Sequence, residues 1–297
     1  PMSNMQPAAD WAAIAKLAQE WTPDSLRSMH IQHMEGCTGR NVIAYYSGWC
    51  QKQHLAQPGF FSIDDDDMGG FMNCIDAMDK SRGLDLVLHT PGGLISATEA
   101  LVHYFRKSFC GDVRVFVPHL AMSAGTMISL SSKEIWMGDH SSLGPIDPQI
   151  GGLPAHGILA EFEMAQEDWA RNPAKAQAWM PILAKYQPTL IDACHRSIKR
   201  SEAMVRDWLV SGMFTTAPSS KRNGMARRVI SQMAKQSNSL AHDRHFSFTE
   251  LKELGLCVRN LSDDPVLRGC VLGVHNSMIY TFNVTPAAKI IESSSRK

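Results

Sequence analysis

The sequence predicts an α/β fold with a parallel sheet, because two apolar runs are each followed by a turn and then by a helical pattern. Residues 84–88 and 113–117 have the composition of buried strands, and apolar positions recur at helical spacing over 94–109 and 124–132. Strand-turn-helix units of this kind stack side by side, so their turns lie at one edge of the sheet. We therefore expect the turns at 89–93 and 122–126 to be neighbours.

The composition is that of an ordinary globular chain. It has 297 residues, of which 44% are hydrophobic, enough for one large domain or two smaller ones. Lysine plus arginine and aspartate plus glutamate number 29 each, so the formal net charge is zero. This balance argues against nucleic acid or an anionic membrane surface as the partner.

The cysteines favour a reducing compartment. There are seven of them, an odd number, and no two are spaced C-x-x-C, so we expect neither a disulfide framework nor a zinc site. No G-x-G-x-x-G follows a strand, and no cofactor is predicted. The first residues lack a basic and then apolar leader, and no apolar run reaches 18 residues. We therefore expect a cytoplasmic protein with no stable membrane anchor.

The remaining segments suggest an order of domains. We expect an N-terminal helical extension over 1–38, a main domain over 39–284 and a frayed polar tail over 285–297. Within the main domain we predict strands at 41–46, 134–137, 256–258 and 270–284, an ordered loop at 139–157, a helical insertion at 158–238 and a short helix at 248–254. The acidic run at 64–67 is interpreted as a helix start in preference to a metal site, because carboxylates cap free N–H groups and no further ligand is indicated.

A diglycine and a serine occupy the two turns. The backbone N–H groups of Gly92 and Gly93 can donate hydrogen bonds to a developing oxyanion, and Ser123 lies in the turn between a predicted strand and a predicted helix. Considered singly, these features are a tight turn and a helix cap. Considered together, they predict a serine hydrolase, in which the helix N-terminus favours the negative charge and a base must take the serine proton.

Three motifs in this order resemble one protein family. The segments Thr-Pro-Gly-Gly (90–93), Ser-Ala-Gly-Thr (123–126) and Ser-Leu-Gly-Pro-Ile-Asp-Pro-Gln (142–149) are similar to those of the serine dehydrogenase proteinase family, over about 40–260. That family is related to signal peptide peptidase A and to the Clp protease subunit. The resemblance implies a Clp/crotonase-like fold of stacked ββα units, Ser123 as nucleophile, an oxyanion turn at Gly92 and Gly93, and the Ala124 N–H as a second donor.

The general base is left open by the sequence. The resemblance implies a histidine near 145–147 in Clp-type enzymes, where this chain has Pro-Ile-Asp, and a lysine in signal peptide peptidase A types. Three candidates remain: His156 after the ordered loop, Lys175, and the cluster His-Asp-Arg-His at 242–245. Each has a plainer interpretation, as a loop histidine, a surface lysine and a polar loop. Asp147 is either the residue that orients the base or a turn residue.

The predicted function is therefore a serine peptidase acting on peptide or protein substrates. The resemblance also implies a homo-oligomer, for which the insertion at 158–238 would supply contacts or a lid. Two other functions stay open: a crotonase-like enzyme that polarises an acyl thioester, and an inactive Clp-like scaffold.

Overall fold

The computed structural model describes residues 10–55, 59–234 and 244–294. The strands in this part of the chain are Asn41–Ser47 (β1), Leu84–His89 (β2), Val113–Val117 (β3), Leu120–Ala121 (β4), Glu134–Met137 (β5), Ser142–Leu143 (β6), Gln149–Ile150 (β7), Leu153–Pro154 (β8), Val258–Asn260 (β9) and Lys289–Ser293 (β10). The α-helices are Trp11–Leu17 (α1), Pro23–Thr38 (α2), Asp67–Asp76 (α3), Ile95–Ser108 (α4), Ala124–Ser131 (α5), Ala155–Arg171 (α6), Ala176–Leu183 (α7), Leu190–Ser211 (α8), Ser219–Met233 (α9), Phe248–Glu253 (α10) and Pro265–Val284 (α11).

Six strands form the central sheet, in the order β10-β1-β2-β3-β5-β9. The strands from β1 to β9 in this order pair in parallel, and β10 pairs antiparallel with β1 at the edge. The predicted α/β class with a parallel sheet is thus confirmed. The predicted strands at 41–46, 84–88, 113–117 and 134–137 and the helices over 94–109 and 124–132 are also found, within a residue or two at each end.

Helices cover both faces of the sheet. Alternate residues of a strand point to opposite faces: Ile43 and Tyr45 of β1 pack in one hydrophobic cluster, with α3, α4, α5, α8, α9 and α10. Val42 and Tyr46 pack in a second cluster, with α2 and α11. Because both faces are buried, the central strands are almost continuously apolar. No helix in the described ranges is both long enough and apolar enough to cross a membrane.

The C-terminal region differs from the prediction in two ways. Residues 270–284 were expected to be a strand but belong to helix α11, whose buried residues recur every three or four positions and cover the sheet. Strand β10 lies within the segment expected to be a frayed tail. There Ile290 is buried against the second cluster, and the carboxylate of Glu292 accepts a hydrogen bond from the Arg27 guanidinium of α2. Helix α2 is therefore packed into the main body of the protein.

The acidic run lies at a helix start, as expected, and two of its carboxylates accept hydrogen bonds from backbone N–H groups there: Asp64 accepts from the Asp66 N–H and Asp67 from the Asp64 N–H, both at 3.1 Å. Helix α3 begins at Asp67, and the carboxylate of Asp66, the N-cap residue, makes no capping hydrogen bond. Asp67 is 4% exposed; it accepts a hydrogen bond from the Tyr45 hydroxyl at 2.8 Å and pairs with the Lys289 ammonium at 2.8 Å. These contacts fix α3 to β1 and β10.

A buried carboxylate joins the amino ends of three strands. Asp85 of β2 is fully buried and accepts hydrogen bonds from Arg114 of β3, at 2.6 and 2.7 Å, and from Arg40 before β1, at 2.7 Å. Arg40 also pairs with Asp112 at 2.8 Å, and its guanidinium lowers the pKa of that carboxyl to about 2. Two guanidinium groups thus compensate the desolvated charge of Asp85.

Three histidines lie between the sheet and α11. The ring of His89, at the end of β2, is fully buried, with its centroid 5.4 Å from that of His119 and 5.6 Å from that of His275. The Tyr46 hydroxyl lies 3.3 Å from Nδ1 of His275. Burial is the main cause of a lowered pKa for all three imidazoles, well below the ordinary range for His89 and to about 3 for His275, and neighbouring imidazoles add to the effect. His89 and His275 are therefore neutral at pH 7.

Replacing Asp85 by alanine is expected to lower the free energy of unfolding by about 3–5 kcal/mol, because two guanidinium groups lose their compensating charge. Urea unfolding followed by tryptophan fluorescence measures the change. The matched control is Asp207→Ala, which removes an exposed carboxylate paired with its neighbour Arg206 and should change the free energy by less than about 0.5 kcal/mol. Equal effects of the two substitutions would contradict this account.

Stability is expected to fall on acidification below about pH 6.5, where the histidines of the unfolded chain take up protons that His89 and His275 exclude in the folded state. Each such histidine costs roughly 1.4 kcal/mol per pH unit until the pH reaches its folded-state pKa. His275→Gln, which cannot titrate, should reduce the slope of unfolding free energy against pH by about that amount between pH 4.5 and 6. An unchanged slope in urea titrations would refute the explanation.

Candidate active site

The carboxyl ends of β2 and β3 bring the two predicted turns together. Beyond the strand ends, Thr90 and Ala121 continue the parallel pairing as an isolated bridge. The Thr90 N–H donates to the Leu120 carbonyl at 3.1 Å, and the Met122 N–H donates to the Thr90 carbonyl at 3.0 Å. The diglycine turn and the serine turn are thus neighbours held by backbone hydrogen bonds, as parallel strands require.

The two turns approach so closely that only glycine fits. Gly92 has a φ of +108°, and a Cβ atom placed on it would lie 2.7 Å from Cβ of Ser123 and 2.9 Å from the Met122 carbonyl oxygen. A Cβ on Gly93 would lie 2.2 Å from the carbonyl oxygen of Ile63, whose backbone pairs with this turn. Both glycines are therefore required by close backbone contacts.

Ser123 has an unusual backbone conformation. It occupies the N-cap position of α5 with a φ of 50° and a ψ of −112°, which is costly for a residue with a Cβ. An ordinary N-cap serine is extended and accepts a hydrogen bond from the first turn of its helix. The Ser123 side chain makes no such bond. The residue is partly exposed at the head of this helix.

The backbone N–H groups of the two turns differ in whether they have a hydrogen-bond acceptor. The Gly92 N–H donates to the Thr90 hydroxyl at 3.1 Å. The N–H groups of Gly93 and Ala124 donate to no acceptor within the described ranges. Ala124 begins helix α5, where free N–H groups carry partial positive charge.

The third motif packs directly against the nucleophile turn. The Thr126 hydroxyl of α5 donates to the Ala121 carbonyl and accepts from the Gly144 N–H, both at 2.8 Å. A Cβ on Gly144 would lie 3.1 Å from the Ser123 backbone nitrogen. Residues 142–149 are thereby held beside the serine.

A cleft of about 850 Å³ opens at this place. Its lining includes Ser123, Gly92, Gly93 and Asp147, together with the tip of the β7–β8 hairpin at 151–152. Asp147 is 4% exposed. The structure therefore brings the predicted nucleophile, the diglycine turn and the predicted orienting carboxylate to one cavity.

Among the described candidate bases, His156, Lys175 and His245 are outside the lining of this cleft. Lys175 is half exposed, and its ammonium lies 2.7 Å from the carboxylate of Asp168, a residue of α6. In the cluster at 242–245, the first two residues lie outside the described part of the chain, and His245 is exposed and close enough to His119 to lower the pKa of that imidazole.

His156 is connected to the cleft through its neighbour. It is the second residue of α6, and the Ala155 N–H donates at 2.9 Å to the carbonyl of Pro148, which lines the cleft. Its Nε2 atom is buried and has no hydrogen-bond partner within the described ranges. A buried imidazole nitrogen of this kind has lost its hydrogen bonds to water and has gained none to the protein, which is unfavourable.

Two supporting hydroxyls were not anticipated from the sequence. Thr90 accepts the Gly92 N–H, and Thr126 links α5 to the third motif. Both threonines belong to the motifs, at 90–93 and 123–126, but their roles depend on which atoms the fold brings within reach. Ile63 was also missed, because nothing near it in sequence signals pairing with Gly93.

The chain is similar to several known proteins. Two proteins of Methanocaldococcus jannaschii are similar: the uncharacterized protein MJ0137, 39% identical over 37% of this chain and 38% of its own length, and the uncharacterized protein MJ1495, 29% identical over 76% and 69%. The chain thus spans well under half of the first relative. A mutant of the 1510-N membrane-bound stomatin-specific protease matches in structure with a TM-score of 0.38 and 15% identity, over 68% of this chain and 77% of that one. The model of one family matches residues 22–267, and the chain belongs to that family, the ClpP-like SDH-type serine proteinases.

Proposed function

We propose that this protein hydrolyses peptide bonds through an acyl-enzyme on Ser123. The observation that carries the proposal is the serine itself: it stands at a helix N-terminus, is held in a strained conformation, does not cap its helix and lines a cleft. Strain and a free hydroxyl at such a place are typical of a nucleophile and have no use in a structural cap.

The oxyanion donors that we propose are the N–H groups of Gly93 and Ala124. They belong to the two turns that meet in the cleft, and neither has an acceptor in the described ranges. Two backbone donors from different elements form a rigid pair that stabilises negative charge without reorganisation. Gly92 then has a steric role, because its lack of a side chain lets the two turns approach.

We further propose that His156 takes the proton of Ser123 and that Asp147 orients the His156 imidazole. The support is the hydrogen bond from Ala155 to Pro148, the unpartnered Nε2 of His156, and the position of Asp147 in the cleft beside the serine. The hairpin formed by β7 and β8 separates Asp147 from His156, and its tip at 151–152 has two glycines with positive φ. In this proposal the imidazole reaches the serine in the substrate complex, since catalytic hydrogen bonds tighten when the substrate binds.

Self-association is part of the proposal. Elements β8, α6 and α7 carry five of the large apolar side chains that are 40–62% exposed: Leu153, Met164, Trp169, Met180 and Ile182. An exposed apolar surface of this kind favours contact with another protein surface. We propose that a second copy of the chain covers this surface. The predicted insertion would then form a subunit contact next to the cleft.

The central test is covalent labelling with a fluorophosphonate probe, followed by intact-mass measurement and assay on a mixed peptide pool. Wild-type protein should gain one probe and cleave peptides, and Ser123→Ala should do neither. His156→Gln should lower both rates by about 10²–10⁴-fold, the usual contribution of a general base. Lys175→Met is the matched control and should stay close to wild type, because its ammonium pairs with Asp168.

Each other result has a definite meaning. Loss of activity in Lys175→Met but not in His156→Gln would assign the base to the lysine. Turnover of an acyl thioester without labelling would support the crotonase-like alternative. An intact, folded protein with neither labelling nor hydrolysis would support the scaffold.

Gly92→Ala is expected to reduce the labelling rate by about 10²-fold or more, because the new methyl group must displace Ser123 from its position. The control is Gly111→Ala, which also has a positive φ, +78°, but has no atom within 4 Å of the added Cβ. It should cost about 1 kcal/mol of stability and leave the labelling rate near wild type. If both variants lost labelling equally, backbone strain and not the close approach would be the cause.

A further inference from the structure

Helices α2 and α11 pack antiparallel on the face of the sheet that carries the second hydrophobic cluster. The order of their contacts sets the direction: Arg27 of α2 donates to Thr281 of α11 at 3.0 Å, and a Cβ on Gly273 would lie 2.5 Å from Nδ1 of His30. Further along the same interface, Cys37 in the last turn of α2 meets Cys270.

Three metal-ligating side chains converge at this last contact. The Cys37 and Cys270 sulfurs are 2.7 Å apart, and Nε2 of His33 lies 3.5 Å from Sγ of Cys37. These three atoms all lie within 4.8 Å of one another. His33 and Cys37 are four residues apart on one helix, which places both side chains on the same face.

The donor set selects a class of ion. Two thiolates and one imidazole suit Zn²⁺ and similar thiophilic ions, and oxygen-preferring ions such as Mg²⁺ or Ca²⁺ do not use such a set. With ordinary zinc bond lengths, the sulfur–nitrogen separation across a tetrahedral site is about 3.6 Å, close to the separation of Cys37 and His33. The sulfur–sulfur separation would be about 3.8 Å, so the sulfurs must move apart by roughly 1 Å, which the exposed Cys37 permits.

We propose that His33, Cys37 and Cys270 bind a zinc-class divalent cation whose fourth position is taken by water. Cys270 is buried, His33 is half-buried and Cys37 is exposed, so the ion enters from solvent and keeps one open side. The carboxylate of Asp264, the N-cap residue of α11, adds negative charge near Cys270. Binding replaces two thiol protons by one ion and releases two protons to solvent.

This site is separate from the cleft. Cys37 lies just before β1, at the amino edge of the sheet, and Ser123 lies at the carboxyl edge. The bound ion would fasten α2 to α11, and its presence does not depend on the chemistry proposed for Ser123. Failure of one proposal is therefore distinguishable from failure of the other, since fluorophosphonate labelling reports only on the serine.

Titration of the reduced, metal-free full chain with Co²⁺ under anaerobic conditions tests the site. One equivalent should bind, with a sulfur-to-cobalt charge-transfer band in the near ultraviolet and intense visible bands typical of tetrahedral geometry, and Zn²⁺ should abolish both. Zn²⁺ should also raise the Tm of the wild type. Cys37→Ser and His33→Gln should each weaken binding by about tenfold or more, since even supporting residues of metal sites contribute that much.

The matched control is Cys110→Ser, which removes another exposed cysteine and should bind Co²⁺ like the wild type. Cys37 is at the surface, so its variant remains informative if Cys270→Ser fails to fold. The proposal is overturned if the reduced wild type gives no charge-transfer band, or if Cys37→Ser gives the same band. It is also overturned if the protein carries a Cys37–Cys270 disulfide, two hydrogens lighter by mass, and binds no Co²⁺ after reduction.

Discussion

The parallel pairing of β2 with β3 is the constraint on which the site depends. It places the two strand ends at one edge and extends beyond them through the bridge between Thr90 and Ala121. A shift of register would separate Gly92 from Ser123, whose side chain leaves no room for a Cβ on that glycine. The close approach of the two turns is thus a direct product of sheet register.

Buried polar side chains stabilise the sheet at both of its edges. At the amino edge, the buried Asp85 is held by Arg40 and Arg114, so three neighbouring strands share one compensated charge. At the carboxyl edge, Thr126 links the nucleophile helix to the segment at 142–149. The strain at Ser123 is sustained because hydrogen bonds and packing fix the residues on both sides of it.

The two faces of the sheet have different chemical character. The cleft and the helices α4, α5 and α8 lie with the larger cluster, and the imidazoles of His89 and His275 lie toward α11 with the smaller one. The proposed ion site continues this second layer to its far end, at Cys37 and Cys270. The proposed catalytic cleft and the proposed metal site, which would link α2 to α11, then lie in separate regions of the protein.

By itself, the sequence determined the elements whose signals are local. The apolar runs that became β2 and β3 and the helices after them were found where periodicity and turn chemistry placed them. Local signals failed where long-range pairing decides the structure: β10 is a strand because β1 offers it an edge, and α11 is a helix because its apolar stripe fits the sheet.

Only the tertiary structure decided which side chains would meet. The Gly92 N–H donates to the Thr90 hydroxyl, the Lys175 ammonium pairs with the Asp168 carboxylate, and Cys37 contacts Cys270, 233 residues away in the sequence. Hydrogen bonds and metal ligation act over a few ångströms, and sequence patterns do not carry distances between segments that meet only when the chain is folded.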